Sequence, residues 1–301
     1  MTNAAATLPP ALDARLERID RSCGELCYYV AGDGPPALLL HSINAAASAY
    51  EVRPIVDELT ATHRVYAPDL PGFGHSERSG RRYDIALYVA AVTDMLAVIA
   101  EDIPGSKPDV LALSLAAEFA ARALAAQPGR AATLALVAPT GFDAGAARRS
   151  AKPPGNREVP GLHPLLSFGL WRRPLFAALA SSPSIRYFLK RTFGSDDVDP
   201  GLAAYATATA RQPGAEHAPL AFLSGRLFST DSRDVYRQLT LPVWLCHGNR
   251  GDFTDYRGAD WAERRDNWTI DTFDSGALPH FEQPGLFMQR YRQFLEHGHN
   301  P

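Results

Sequence analysis

Apolar positions come in two periods along this chain. Short, nearly continuous apolar runs occur at Leu26–Val30, Ala37–Leu40, Val65–Leu70, Val110–Leu113, Leu134–Val137, Val243–Cys246 and Trp268–Phe273. Runs of this length, bounded by Gly, Pro, Asn or Asp, predict strands buried on both faces. Between them lie segments of helical period. From Asp84 to Ala100, the residues Ile85, Tyr88, Val89, Val92, Met95, Leu96 and Ile99 repeat at i, i+3, i+4 and i+7, so one face of a helix is buried. Ser114 to Ala126 reads as a helix of small residues, and Pro284 to Glu296 as a final helix. Strand and helix alternate up to about residue 141, which predicts an α/β fold with a mostly parallel, doubly wound sheet. From 141 to 239 no strand pattern appears. That stretch carries Pro153, Pro154, Gly155, Pro160 and Gly161, then amphipathic runs rich in aromatics. The expected organisation is a lead-in over 1–20, mobile and with at most one short helix, a sheet core over 21–140 and 240–301, and an inserted helical lid over 141–239.

Composition narrows the function classes. The chain has 301 residues, 46% of them hydrophobic, with 33 acids against 30 bases and a formal net charge of -3. That balance argues against a nucleic-acid binder and a polybasic membrane protein. No run of 18 apolar residues is present, and the N-terminus lacks a secretory pattern, so the expected setting is cytoplasmic. Three cysteines, Cys23, Cys27 and Cys246, make no disulfide framework, and the Cys23/Cys27 pair has no partner pair to complete a zinc site. No metal or other cofactor is expected. The expected partner is a small-molecule substrate, with a homo-oligomer left open.

The chemistry concentrates at DVLALSLAAEF, where a buried strand runs directly into a helix with Ser114 at the junction. A serine on such a turn projects its hydroxyl from the sheet edge, and the turn crowds the residues two before and two after it, here Ala112 and Ala116. The free N–H of Leu115 at the helix start would face a developing oxyanion. A serine that merely caps the helix is the plainer alternative.

Through this elbow and the loops around it, the chain resembles the α/β-hydrolase family. DLPGFGHS (Asp69–Ser76) matches a loop that recurs after that family's fourth strand. LLLHS (Leu38–Ser42) falls where the family usually has a His-Gly pair at its oxyanion loop. PVWLCHGNRGD (Pro242–Asp252) and GALPHFEQP (Gly276–Pro284) fall at its acid and histidine loops. The resemblance implies a serine hydrolase acting on an ester-like acyl substrate, and the aromatic residues of the insert, at least half of them expected in its own core and the rest lining a pocket, point to a small or medium apolar one. Its triad order is Ser, acid, His, met here by Ser114, Asp252 and His280. The second oxyanion donor would come from Ser42 or Ile43, with Asn44 on the pocket wall. Two departures stand out. The acid loop usually reads Gly-x-x-Asp, yet Gly251 stands at the acid's place and Asp252 follows it. The histidine loop usually reads Gly-His-x-Pro-His-x-Glu, yet Ala277 stands at the first histidine and His280 at the second. Asp143 and Asp255 are alternative acids. His41 and His247 read as loop-bracing histidines, Cys246 as a buried small hydrophobe, and Glu118 as a core-edge acid on the face of Ser114. Non-ester chemistry on the same fold (C–C bond hydrolysis, a cofactor-free lyase) and a non-catalytic ligand-binding role remain the alternatives.

Overall fold

A computed structural model describes residues 7–150 and 153–299. Eight strands form one sheet in the order β1-β2-β4-β3-β5-β6-β7-β8. They are β1 (Arg15–Arg21), β2 (Gly24–Ala31), β3 (Pro36–Leu40), β4 (Arg64–Asp69), β5 (Asp109–Leu113), β6 (Thr133–Val137), β7 (Val243–Gly248) and β8 (Trp268–Phe273). β2 pairs antiparallel with β1 and with β4, and every other pairing is parallel.

The apolar runs form strands because both sheet faces are covered. Successive side chains point to opposite faces. Leu38, Leu40, Ala112, Leu136 and Leu245 join one core cluster, packed under α2 (Ile85–Asp102) and α3 (Ala116–Ala126). Leu39, Leu111, Ala135 and Trp244 join the other, under α1 (Arg53–Leu59) and α12 (Pro284–His299). Every residue of β3, β5 and β6 is buried. Truncating one such leucine to alanine would cost about 2–5 kcal/mol. Asp84 caps α2 by accepting a hydrogen bond from the Leu87 N–H at 3.1 Å.

The N-terminal expectation needs correction. Within the lead-in assigned to 1–20, Arg15–Arg21 is a strand that makes a hairpin with β2. Only Leu16 and Ile19 are aliphatic there, and this edge strand is half exposed, so it lacks the apolar run that marks the inner strands. Residues 1–6 lie outside the described residues.

Between β6 and β7 the chain forms helices α4 (Ala146–Ser150), α5 (Leu162–Leu166), α6 (Arg172–Leu179), α7 (Ser182–Phe193), α8 (Pro200–Ala210), α9 (His217–Leu223) and α10 (Ser232–Arg237). After β8 a short helix α11 (Pro279–Glu282) leads into α12. The aromatic residues of the α4–α10 segment divide. Phe176, Phe193 and Tyr205 are buried, whereas Phe168, Trp171, Tyr187 and Phe188 are exposed, so these four line no closed apolar pocket. Cys23, Cys27 and Cys246 are free thiols, all buried.

Candidate active site

Ser114 occupies a strained turn. Its φ is 51°, left-handed backbone that a β-carbon disfavours by about 1–3 kcal/mol. The turn is held by the Ser114 N–H donating to the Val137 carbonyl at 2.8 Å and by the Ala117 N–H donating to the Ser114 carbonyl at 3.2 Å. Ala112 and Ala116, the crowded neighbours, are fully buried. The Ser114 hydroxyl is bonded to no side chain among the described residues, and the Leu115 N–H at the start of α3 is likewise without a partner. At the end of the next strand Ala138 is also left-handed, with φ 46°, and its N–H donates to the Cys246 carbonyl at 2.7 Å. The elbow is therefore built as the sequence pattern predicts.

The oxyanion loop differs from expectation. Ser42 follows β3, beside β5 at the same sheet edge. Its N–H donates to Glu51 Oε2 at 2.8 Å, so this donor is already taken. Of the two expected donors, the Ile43 N–H is the one without a partner among the described residues. Asn44 does not face a pocket with a free amide. Its Nδ2 donates to Ser42 Oγ at 2.9 Å and to Glu51 Oε1 at 2.8 Å, and its Oδ1 accepts from the Ala46 N–H at 2.7 Å. Glu51, which sequence reasoning passed over, is the hub. It is 6% exposed, and no basic side chain pairs with it among the described residues. An isolated acid inside the apolar stretch AYEVRPIV was its one signal.

His280 meets the same hub from the other side. Its Nε2–H donates to the Glu51 main-chain carbonyl at 2.7 Å. The ring is 1% exposed, lies 5.4 Å from the Phe287 ring, and its Nδ1 has no hydrogen-bond partner. Burial pushes the imidazole pKa down to about 4, so the ring is neutral at pH 7. Asp252 lies elsewhere. Its carboxylate is 41% exposed and grips the Arg191 guanidinium, with Oδ2 to Nε at 2.5 Å and Oδ1 to Nη2 at 2.9 Å. The expected Ser114–His280–Asp252 chain of hydrogen bonds is thus not assembled.

Each partner is held elsewhere, His280 by the Glu51 carbonyl and Asp252 by Arg191 of α7, and α7 also crowds the two loops. At the family's acid position, a β-carbon on Gly251 would stand 2.4 Å from the Arg191 carbonyl oxygen. At the histidine loop, the Ala277 N–H donates to the Thr192 carbonyl at 2.8 Å, and a β-carbon on Gly276 would stand 2.3 Å from that same oxygen. The C-terminal turn of α7 lies on both loops. The alternative acids serve other partners. Asp143 pairs with Arg149, and Asp255 accepts from Arg257 Nε at 2.8 Å and from the Ala144 N–H at 3.2 Å; these arginines hold both carboxyls below the usual range.

The remaining singled-out residues brace the fold. His41 Nε2 accepts from the Leu70 N–H at 2.8 Å, and its Nδ1 donates to the Ser42 carbonyl at 2.6 Å. His247 stacks on Tyr256 at 3.9 Å. Glu118 is buried and bridged to Arg122 at 2.9 Å. Among the described residues no group of three His, Cys, Asp or Glu side chains could hold a metal ion, and no helix is long and apolar enough to cross a membrane.

Residues 37–290 match the model of a family described as "Alpha/beta hydrolase family". A pimeloyl-[acyl-carrier protein] methyl ester esterase of Nitrosomonas europaea is 27% identical over 235 residues, which are 77% of this chain and 84% of that protein. Among solved structures, a serine hydrolase involved in carbazole degradation superposes with a TM-score of 0.72 at 14% identity, covering 94% of this chain and 99% of the other. An esterase from a Rhodococcus species superposes with a TM-score of 0.69 at 21% identity, covering 93% and 98%.

Proposed function

The chain belongs to the alpha/beta hydrolase family, and we propose that within it the chain is a slow acyl-ester hydrolase in which Ser114 is the nucleophile and His280 and Asp252 are structural. The observation that carries this reading is the left-handed Ser114 at the strand–helix turn. Strain of this kind persists where the surrounding structure enforces it, and it clusters at functional sites. Ser114 Oγ attacks the acyl carbonyl. The N–H groups of Leu115 and Ile43 stabilise the oxyanion, the ester C–O bond breaks, and the departing alcohol takes up, through solvent, the proton lost by Ser114; water then cleaves the acyl–serine bond, giving the carboxylic acid and restoring the Ser114 hydroxyl. The segment α4–α10 serves as the lid over this edge of the sheet.

Without a relay, the serine works through oxyanion stabilisation and binding alone. Turnover of p-nitrophenyl butyrate and labelling by a fluorophosphonate test the reading. Ser114→Ala should abolish both, whereas His280→Gln and Asp252→Asn should leave the rate within about twofold. Equal turnover by wild type and Ser114→Ala would overturn it.

A second reading, a carbonyl-ligand binder without turnover, is favoured because no base among the described residues is hydrogen-bonded to Ser114. It predicts no labelling and no ester hydrolysis from the folded wild type.

A further inference from the structure

A large cavity lies within the helical segment, and Ser114 is not among the residues that line it. It measures about 850 Å³, within the roughly 300–1,000 Å³ range of small-molecule sites. It opens between α6 with the start of α7 on one side and the α8–α9 connection on the other. Its floor is apolar, formed by Phe176, Ala177, Ala180 and Ala210. Two cations stand at its edge. Arg211 is exposed and makes no ion pair among the described residues. The Arg173 side chain is 82% exposed and reaches Glu216 only at 3.8 Å, while Arg172 holds that same carboxylate at 3.2 Å.

The cavity also has a direction. Ala210 lines both it and a neighbouring gap of about 10 Å³, whose opposite wall is Ala45–Ala47. Those alanines continue the loop that Asn44 and Glu51 pin beside the elbow. Arg78 and Thr209 also line that gap, so the apolar surface of the cleft ends against them.

We propose that this cleft binds a medium-chain carboxylate, with its head group on Arg211 and Arg173 and its hydrocarbon chain along the Phe176–Ala210 floor. Guanidinium groups favour carboxylates through paired, charge-assisted hydrogen bonds. The methyl groups and one ring of the floor offer the chain apolar contact, while Ser181, Ser182, Gln212 and Glu216 also line the cleft. The site is independent of whether Ser114 turns substrate over, because it is a binding site in its own right.

Calorimetric titration of the full chain with decanoate, decanol and acetate, all at sub-micellar concentration, tests it. Decanoate should bind at least tenfold more tightly than either decanol, which lacks the charge, or acetate, which lacks the chain. The double variant Arg173→Ala/Arg211→Ala should bring decanoate down to the affinity of decanol. Ala177→Trp, at an exposed position of the floor, should remove binding of both long-chain probes by filling the cleft. Ser114→Ala should bind decanoate as wild type does. Equal affinity for decanoate and decanol, or decanoate binding unchanged in Ala177→Trp, overturns the proposal. Loss of decanoate binding in Ser114→Ala overturns it as well, by placing the ligand at the elbow instead.

Discussion

At the scale of single residues, the chain stores strain at one serine and discomfort at one histidine. Ser114 is held left-handed, a conformation glycine adopts freely. Ser114→Gly should therefore stabilise the protein by about 1 kcal/mol in urea titration while abolishing fluorophosphonate labelling. A stability unchanged or lowered would mean that the elbow is not strained. His280 gives a pH signature. Its folded pKa, about 4, lies below the roughly 6.5 of an exposed histidine, so the unfolded chain binds a proton that the native chain refuses. The neutral ring's contribution is intact above about pH 6.5 and is lost as pH falls from 6.5 toward 4, by up to about 3 kcal/mol. His280→Gln, which retains a donor for the Glu51 carbonyl, should flatten the stability profile over that window; a slope identical to wild type would refute this assignment. At this scale the elbow was legible, because a strand running into a helix at a serine flanked by alanines is a local pattern. The role of His280 was half legible. Its displaced place at the second histidine of the loop pattern was visible, yet the triad order still made it the expected base; its partner, the Glu51 carbonyl, is 229 residues distant and no spacing reveals it.

At the scale of elements, the decisive contact is between α7 and two loops of the sheet domain. The Arg191 carbonyl accepts the Asp252 N–H at 3.2 Å, and the Thr192 carbonyl accepts the Ala277 N–H at 2.8 Å. Gly251 also has φ 81°, so aspartate there would meet both strain and collision. Returning the family's residues by Gly251→Asp together with Ala277→His should therefore lower stability by at least about 2 kcal/mol and leave ester turnover no higher than wild type. A fast, stable double variant would show that the α7 turn is no obstacle. The two departures in the acid and histidine loops were readable from sequence. That one helix end covers both of them was not, because helical period identifies which face of α7 is apolar but not where its last turn comes to rest. The aromatic residues taught the same lesson. Their number suggested a pocket lining, yet Phe168, Trp171, Tyr187 and Phe188 face outward.

At the scale of the whole molecule, the sheet was predictable because its inner strands are buried on both faces and read as unbroken apolar runs. The edge strand β1 was missed for the converse reason, since a half-exposed strand keeps its charges. What ties the helical segment to the sheet domain is a long-range contact that no local pattern announces. Arg78, in the loop after β4, sends Nη1 to the Thr209 carbonyl and Nη2 to Thr209 Oγ1, each at 2.9 Å, and Nη2 also to the Gly74 carbonyl. Burial lowers the pKa of this guanidinium. Arg78→Met keeps much of the bulk but leaves those acceptors unpaired. It should cost about 2 kcal/mol and speed proteolytic nicking between 141 and 239. Nicking at the wild-type rate would show that the latch holds nothing. The grip of α7 on the acid and histidine loops carries a further meaning. Because the three segments are joined through main-chain atoms, exchanging side chains one at a time cannot separate them. Relay chemistry at this site would therefore need a change of backbone, with α7 shortened or shifted along its axis, and not a change of side chains alone.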